Sequence, residues 1–278
     1  MAIEWSLVLF TIIAGAGAGV LAFAGAGEFL GASKKARFIS VILSLVLLVA
    51  GGCVSLLHLG NPSNFMQAAT NLLSFSPISL ELIFLGLCVI VGVVYLIVVN
   101  RGGTVSKVFA ICAIVAGALF AYFSGHGYEI IDVRPAWGTP ALTFSYLLGT
   151  LTIGGFLFLS IQVALKDEAA SIKKIALIVL AAAVLQTILY VVYGMIAPIG
   201  DENTMLFWGG AVAVGGALSL ILGLIIWLKN NLGALAYLGL ITAVVGAIAL
   251  RAVMWLAGSA YLPSFFEIAE YNRSLYPF

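Results

Sequence analysis

Charged residues are scarce in this sequence. Only 8% of its 278 residues are Asp, Glu, Lys or Arg, against about 25% in ordinary soluble domains, whereas 63% are apolar. The mean hydropathy is +1.21. Such a composition excludes a soluble globular domain and indicates lipid as the surrounding solvent. The net charge of +1 gives no indication of a nucleic-acid partner, and we expect none.

Cysteine and histidine are also rare. Cys53, Cys88 and Cys112 lie in three different apolar stretches without C-x-x-C spacing, which argues against an iron–sulfur, zinc or covalently attached haem site. The two histidines are His58 and His126. Because haem b in a membrane bundle usually takes two histidine ligands, one bis-histidine haem remains an alternative, but a transmembrane pair of such haems is excluded. We expect no bound metal and no haem.

Long apolar runs are what the sequence does contain. A helix needs about 20 mostly apolar residues to cross a bilayer. Eight stretches qualify: residues 6–31, 38–59, 78–99, 105–124, 141–165, 172–196, 205–228 and 233–258. Since unsatisfied backbone groups in hydrocarbon cost several kcal/mol each, runs of this length must be helices. We therefore predict an all-α, polytopic integral membrane protein that forms a single transmembrane domain over residues 1–278.

Details within the runs refine this prediction. The first run has no basic flank and no clear cleavage site, so we expect a retained span rather than a secretory signal. Glycine–alanine segments at residues 15–19 and 25–27 predict close helix packing. A short similarity between residues 115–118 and 244–247 is compatible with two related four-helix halves, although small apolar residues recur by chance in this composition.

Basic residues are distributed unevenly over the loops. Nine of the twelve Lys and Arg residues flank the connections between spans 1 and 2, 3 and 4, 5 and 6, or 7 and 8. By the positive-inside rule this side is cytoplasmic, so both termini and the other three loops are predicted outside. The nine residues are Lys34, Lys35, Arg37, Arg101, Lys107, Lys166, Lys173, Lys174 and Lys229.

Two ionisable residues at the outer ends of adjacent spans are candidates for chemistry. His58 ends the second span shortly before Pro62, and Glu81 lies about one turn inside the third, after an N-cap serine and a first-turn proline, Ser76 and Pro77. Both are predicted at similar depth below the outer surface. A histidine and a carboxylate on adjacent helices can accept the two protons that a quinol loses on oxidation. The alternatives are a helix-end histidine and a snorkelling or capping carboxylate.

Two further charges lie inside the apolar runs and need compensation. Arg251 is in the outer half of the last span, and we expect it to pair with an acid, in either a structural or a functional role. The candidate acids are Glu81, Glu129 and Asp132. Glu28 is near the inner end of the first span with Lys34 and Lys35 close by, and we expect it to be a satisfied interfacial charge.

Five motifs in one order resemble the membrane-anchor (C) subunit of the dimethyl sulfoxide reductase family. They are His58-Leu59-Gly60-Asn61-Pro62, Ser79-Leu80-Glu81, Pro135-Ala136-Trp137, Gly154-Gly155 and Leu250-Arg251. The first is the most specific, and the likeness extends over nearly the whole chain, including the eight spans. Leu80 departs from the pattern, since many members carry a polar or basic residue there, and His126 does not belong to it.

The resemblance implies an eight-helix, haem-free subunit of the prokaryotic cytoplasmic membrane, in contact with lipid. Such a subunit oxidises menaquinol to menaquinone and passes electrons to an iron–sulfur subunit, which feeds a molybdopterin catalytic subunit. The iron–sulfur clusters and molybdopterin belong to those partners. The motifs assign catalytic roles at the quinol site to His58 and Glu81, and they make Arg251, Pro62 and Trp137 further candidates for quinone binding.

Other functions remain open at this point. The same site could run in reverse and reduce quinone with electrons from a dehydrogenase, or the anchor could contain haem b. A secondary transporter is disfavoured because the ionisable residues cluster at one face rather than near the mid-membrane. The outer loop 129–137 and an outward-facing aromatic tail, 259–278, are predicted docking surfaces, although aromatic residues also mark ordinary membrane interfaces.

Overall fold

The computed structural model describes residues 2–59, 66, 70–102, 104–229 and 234–258. Within these ranges the chain is helical and contains no strand, and eight helical stretches are long and apolar enough to cross a membrane. The prediction of an all-α polytopic membrane protein is confirmed. The helices are α1 (Trp5–Leu30), α2 (Lys34–Ser55), α3 (Pro77–Asn100), α4 (Lys107–Glu129), α5 (Pro140–Ala164), α6 (Ala169–Ile196), α7 (Ser219–Lys229) and α8 (Leu235–Ala257).

Two of these helices continue in another helical form. A 3₁₀ turn, Leu56–His58, extends α2, and a π-helix, Met205–Leu218, leads directly into α7. The seventh span is therefore wound more loosely over its first half than the sequence predicts. Helix α4 reaches Glu129 rather than ending near residue 124, so His126 and Glu129 belong to its last turn and not to the outer loop.

Helix α3 begins as the sequence predicts. The Ser76 hydroxyl accepts a hydrogen bond from the backbone N–H of Ser79, and Pro77 occupies the first turn. The Ser79 hydroxyl in turn lies 2.8 Å from those of Ser74 and Ser76 and donates to the carbonyl of Asn71. This serine cluster fixes the start of α3, and with it the position of the residues one turn further on.

Two central helices, α1 and α5, hold the bundle together. Helix α1 packs against α2, α4 and α5, and α5 packs against α6 and α8. Helices α1 and α5 cross where Gly19 faces Gly154: a Cβ added to Gly154 would lie 2.5 Å from the Cα of Gly19. Close backbone approach of small residues is a main source of helix association in lipid. The packing role predicted for the glycine–alanine segment 15–19 is confirmed.

Both halves of the chain have the same order of neighbours. In the first half α1 contacts α2, α2 contacts α3, α3 contacts α4, and α4 returns to α1. In the second half α5, α6, α7 and α8 follow the same cycle, with the π-helix packed mainly on α8. This repeated arrangement agrees with the hypothesis of two related four-helix halves.

The ends of the helices form two faces, and the nine basic residues lie on one of them. On this basic face Glu28 bonds to the guanidinium of Arg37 at 2.7 Å and accepts a hydrogen bond from the hydroxyl of Tyr95. The expectation that Glu28 is a satisfied interfacial charge is confirmed, with Arg37 rather than Lys34 or Lys35 as its partner. The Arg37 side chain packs against α1 at Gly27, where an added Cβ would lie 3.2 Å from its Cγ, whereas Lys34 and Lys35 are exposed.

A second polar contact on the basic face joins two distant loops. Asp167, between α5 and α6, accepts hydrogen bonds from the backbone N–H of Ser33 at 3.0 Å and from the Gln162 amide at 3.0 Å. Partial burial acts to raise the pKa of Asp167, but these hydrogen bonds outweigh it and hold the pKa below its usual value. The contact ties the α1–α2 connection to the α5–α6 connection.

Candidate functional site

A cavity of about 400 Å³ lies at the face opposite the basic residues. The ends of α1, α2, α3, α4 and α8 at that face form its wall, together with the loop that precedes α5. Most of the wall is apolar, and its histidine, carboxyl and large aromatic groups are His58, Glu81, Tyr128, Trp137 and Trp255, beside Phe10. The structure therefore brings three predicted site residues, His58, Glu81 and Trp137, into one wall.

His58 ends the 3₁₀ turn after α2 and is exposed. Its Nδ1 atom is hydrogen-bonded to the backbone carbonyl of Ser55. Because a carbonyl can only accept, Nδ1 carries a proton and, in the neutral ring, Nε2 has the free lone pair. His58 is thus held in the tautomer that can accept a proton from a ligand through Nε2.

Glu81 lies on α3 one turn beyond its serine cap. Its Oε1 atom is buried and has no hydrogen-bond partner among the described residues. A buried acceptor without a partner costs about 1–3 kcal/mol. Across the cavity wall Ser124 of α4 lies within hydrogen-bonding range of the Glu81 carboxyl, and its hydroxyl donates to the carbonyl of Phe120 at 2.9 Å. A ligand hydroxyl would supply the bond that Oε1 lacks once the Glu81 carboxyl turns toward the cavity.

Three aromatic side chains form one side of the cavity. The rings of Trp137 and Trp255 meet edge to face with centroids 5.0 Å apart, and Tyr128 lies 5.3 Å from Trp137 and 6.1 Å from Trp255. The indole N–H of Trp137 donates to the carbonyl of Met254 at 2.8 Å, whereas that of Trp255 is buried and has no partner among the described residues. This aromatic wall fits a flat apolar ring.

Tyr128 and Trp255 were not among the predicted site residues. Trp255 follows Arg251 by four positions, so both lie on one face of α8, and that spacing was the available signal. Tyr128 reaches the cavity because α4 is longer than the apolar run indicates.

Arg251 lies behind the cavity wall rather than in it. The side chain is 1% exposed. It donates to the hydroxyl of Thr11 at 2.8 Å and to the carbonyl of Ala247 at 3.3 Å, and its guanidinium stacks on the ring of Tyr146 at 4.0 Å. Thr11 is the member of this group that lines the cavity.

The expected ion pair of Arg251 is not formed, because no carboxylate oxygen of a described residue lies within 4.0 Å of it. Helix α8 packs into the bundle against α5 and the π-helix, and there a hydroxyl, a carbonyl and an aromatic face take the place of the acid. Of the candidate acids, Glu129 bonds instead to His126 at 3.1 Å and to the hydroxyl of Thr143 at 2.5 Å.

His126 belongs to a different environment from His58. Besides its bond to Glu129, its ring stacks on Tyr122 with centroids 5.6 Å apart, and it does not contribute to the described cavity wall. Among the described residues no three His, Cys, Asp or Glu side chains are grouped so that they could hold a metal ion. The structure does not bring the two histidines into one site.

A side-chain hydrogen bond attaches the loop before α5 to the end of α8. Arg134 donates to the carbonyl of Gly258 at 2.6 Å, and its guanidinium lies 4.6 Å from the ring centre of Trp137. These contacts hold Trp137 against the cavity. Pro62 and the tail 259–278 lie outside the described residues, so the predictions for them stay predictions.

The sequence profile of a family described as the DMSO reductase anchor subunit (DmsC) matches residues 1–200, which is more than half of the chain. The chain belongs to this family. It is therefore the multi-pass anchor of a DMSO reductase-type oxidoreductase complex, a role that implies association with catalytic and electron-transfer subunits. The matched DmsC region contains His58, Glu81 and Trp137, whereas Arg251 and Trp255 follow it. No curated protein matches the chain.

Proposed function

We propose that this anchor oxidises a membrane quinol in the cavity at its outer face. The observation that carries the proposal is the Glu81 carboxyl, whose buried Oε1 atom has no partner among the described residues, in a wall that also contains His58. The family resemblance implies menaquinol as the substrate and the prokaryotic cytoplasmic membrane as the location. It also implies an iron–sulfur subunit as electron acceptor and a molybdopterin subunit behind it.

Glu81 and His58 together accept the two protons that the reaction releases. A quinol that becomes a quinone loses two protons and two electrons. Glu81 accepts one hydroxyl proton and Nε2 of His58 accepts the other, while both electrons pass to the electron-transfer subunit. The aromatic wall of Tyr128, Trp137 and Trp255 holds the ring.

The test replaces each proton acceptor with a side chain of similar size that does not titrate. We expect His58→Gln and Glu81→Gln to lower quinol oxidation by at least about 100-fold, the usual contribution of a positioned acid or base. Assembly should be unchanged, as measured by co-purification of the partner subunits and by turnover with a dye that reduces those subunits directly.

Glu202→Gln is the matched control, because Glu202 is an exposed carboxylate of the same face that does not contribute to the described cavity wall. It should oxidise quinol at the wild-type rate. Wild-type quinol oxidation in both site variants would refute the assignment of His58 and Glu81.

A further inference from the structure

A second recess lies between α2 and α3 and shares part of its wall with the outer-face cavity. Its volume is about 540 Å³. Ser55, Leu56 and Leu82 line both spaces, so the two meet where α2 ends and α3 has made its first turns. We call this recess the α2–α3 groove. It runs from the cavity toward the middle of the membrane-spanning part of the bundle.

The groove exists because α2 and α3 diverge toward the outer face. They are in contact at Gly92, where an added Cβ would lie 2.9 Å from a methyl carbon of Leu45. Further out, a Cβ at Gly86 would meet no described atom within 4 Å, and a Cβ at Gly52 would meet only Leu85 among the described residues, at 3.7 Å. A side chain at position 92 would therefore displace Leu45, whereas the space beside positions 52 and 86 is open, and glycine there keeps the groove wide.

The lining of the groove is suited to hydrocarbon. Apart from Ser55 and Cys53, its described lining residues are glycine and aliphatic side chains, without a charged group. Val49 and Ile90, in the same lining, are 57% and 62% exposed. Because these residues belong to membrane-spanning helices, that exposed surface faces lipid, and the groove is open to the bilayer from the side.

We propose that the α2–α3 groove binds the polyprenyl tail of the quinol and admits the quinol laterally from the bilayer. This inference rests on the proposed function, since it places the quinol ring in the outer-face cavity. The shared wall then joins the two parts of one ligand: a flat polar head beside Glu81 and an aliphatic chain beside Gly52 and Gly86. The substrate class is a long-chain isoprenoid quinol rather than a ring alone.

Gly86→Trp tests the proposal, because Gly86 lines the groove and a Cβ there would meet no described atom within 4 Å. We expect its KM for a long-chain menaquinol to rise about tenfold through lost apolar contact. Its kcat/KM for the tailless 2,3-dimethyl-1,4-naphthoquinol should not change. Gly209→Trp is the matched control, since a Cβ there also meets nothing within 4 Å and Gly209 lies outside the groove. Gly209→Trp should change the kinetic constants for neither quinol.

The outcomes separate the groove from the proposed function. If the wild-type complex oxidises neither quinol, the proposed function fails. If the wild type oxidises both but Gly86→Trp slows both equally, or slows neither, the groove does not hold the tail. If Gly86→Trp slows the oxidation of neither quinol, a phospholipid acyl chain rather than the quinol tail is the occupant that fits the groove.

Cys53 gives a second measurement that does not depend on turnover. It is exposed and lines the groove, whereas Cys88 is buried. In a Cys112→Ser background, a lipid-soluble maleimide should label Cys53 in the assembled complex. We expect long-chain menaquinone to protect Cys53 at least about tenfold better than 2,3-dimethyl-1,4-naphthoquinone, in line with the expected difference in affinity. Equal protection by the two quinones, or none by either, would overturn the proposal.

Discussion

Arg251 is a buried cation whose immediate partners are neutral. It bonds to Thr11 and stacks on Tyr146. Tyr146 and Tyr128 each interact electrostatically with both Arg251 and Glu81. The two charges therefore lie near the same tyrosines. A cation there favours the ionised form of Glu81, which is the form that can accept a quinol proton, without touching the ligand itself.

This arrangement predicts a functional rather than a structural defect in Arg251→Met. Replacing a buried charge with an apolar side chain of similar volume is often neutral for stability. Quinol oxidation, however, should fall by about tenfold in kcat/KM as the positive field is lost. Arg251→Lys, which keeps the charge, should recover part of the rate. Thermal stability in detergent and quinol kinetics are the measurements, and an Arg251→Met complex with wild-type kinetics would limit Arg251 to packing.

The site residues differ in how far sequence can predict them. His58 and Glu81 were predictable because each is a polar residue at the end of an apolar run, and local capping signals fix their depth. The places of Trp255 and Tyr128 in the cavity wall were not predictable, since they depend on how α8 and α4 are arranged in the folded bundle. The partner of Arg251 was mispredicted for the same reason: electrostatics requires compensation of the charge, but only tertiary packing decides whether an acid, a hydroxyl or a ring provides it.

Helices show the same division between local and tertiary causes. Length and hydropathy were enough to predict all eight spans, because in lipid the backbone has no other way to satisfy its hydrogen bonds. The π-helix Met205–Leu218 was not predicted. It contains two glycine pairs, and Gly215 packs against Gly246 of α8 so closely that no Cβ fits. Hydropathy does not distinguish this winding from an α-helix, and π-helices this long are rare.

The close contact between α1 and α5 predicts how a substitution at their crossing affects thermal stability. Gly154→Leu should separate α1 from α5, because the new side chain would overlap the backbone of Gly19. We expect the detergent-solubilised protein to lose about 5 °C or more of thermal stability, measured by its temperature of half-aggregation. Gly209→Leu changes the same residue type where space is open, and it should have little effect. Equal stability of the two variants would show that the α1–α5 crossing is not a main support of the fold.

At the scale of the whole molecule, the nine basic residues and the cavity lie on opposite faces. The cavity is built from helix ends on the face opposite the nine basic residues. If the positive-inside rule orients this chain, the cavity is on the outer side of the membrane. Quinol oxidation there would release both protons to the outside and deliver electrons to a subunit docked on that side, so orientation decides the direction of proton release.

Single cysteines can test the orientation in a Cys53→Ser, Cys88→Ser, Cys112→Ser background. Asp201→Cys places a cysteine at an exposed acidic position on the cavity face, and Glu168→Cys places one at an exposed acidic position on the basic face. A membrane-impermeant maleimide should label the cysteine at 201 in intact cells, and the one at 168 only after permeabilisation, because nine basic residues resist translocation. The reverse pattern would place the cavity on the cytoplasmic side, where the same two protons would be released inside the cell and an outer-face partner could not receive the electrons.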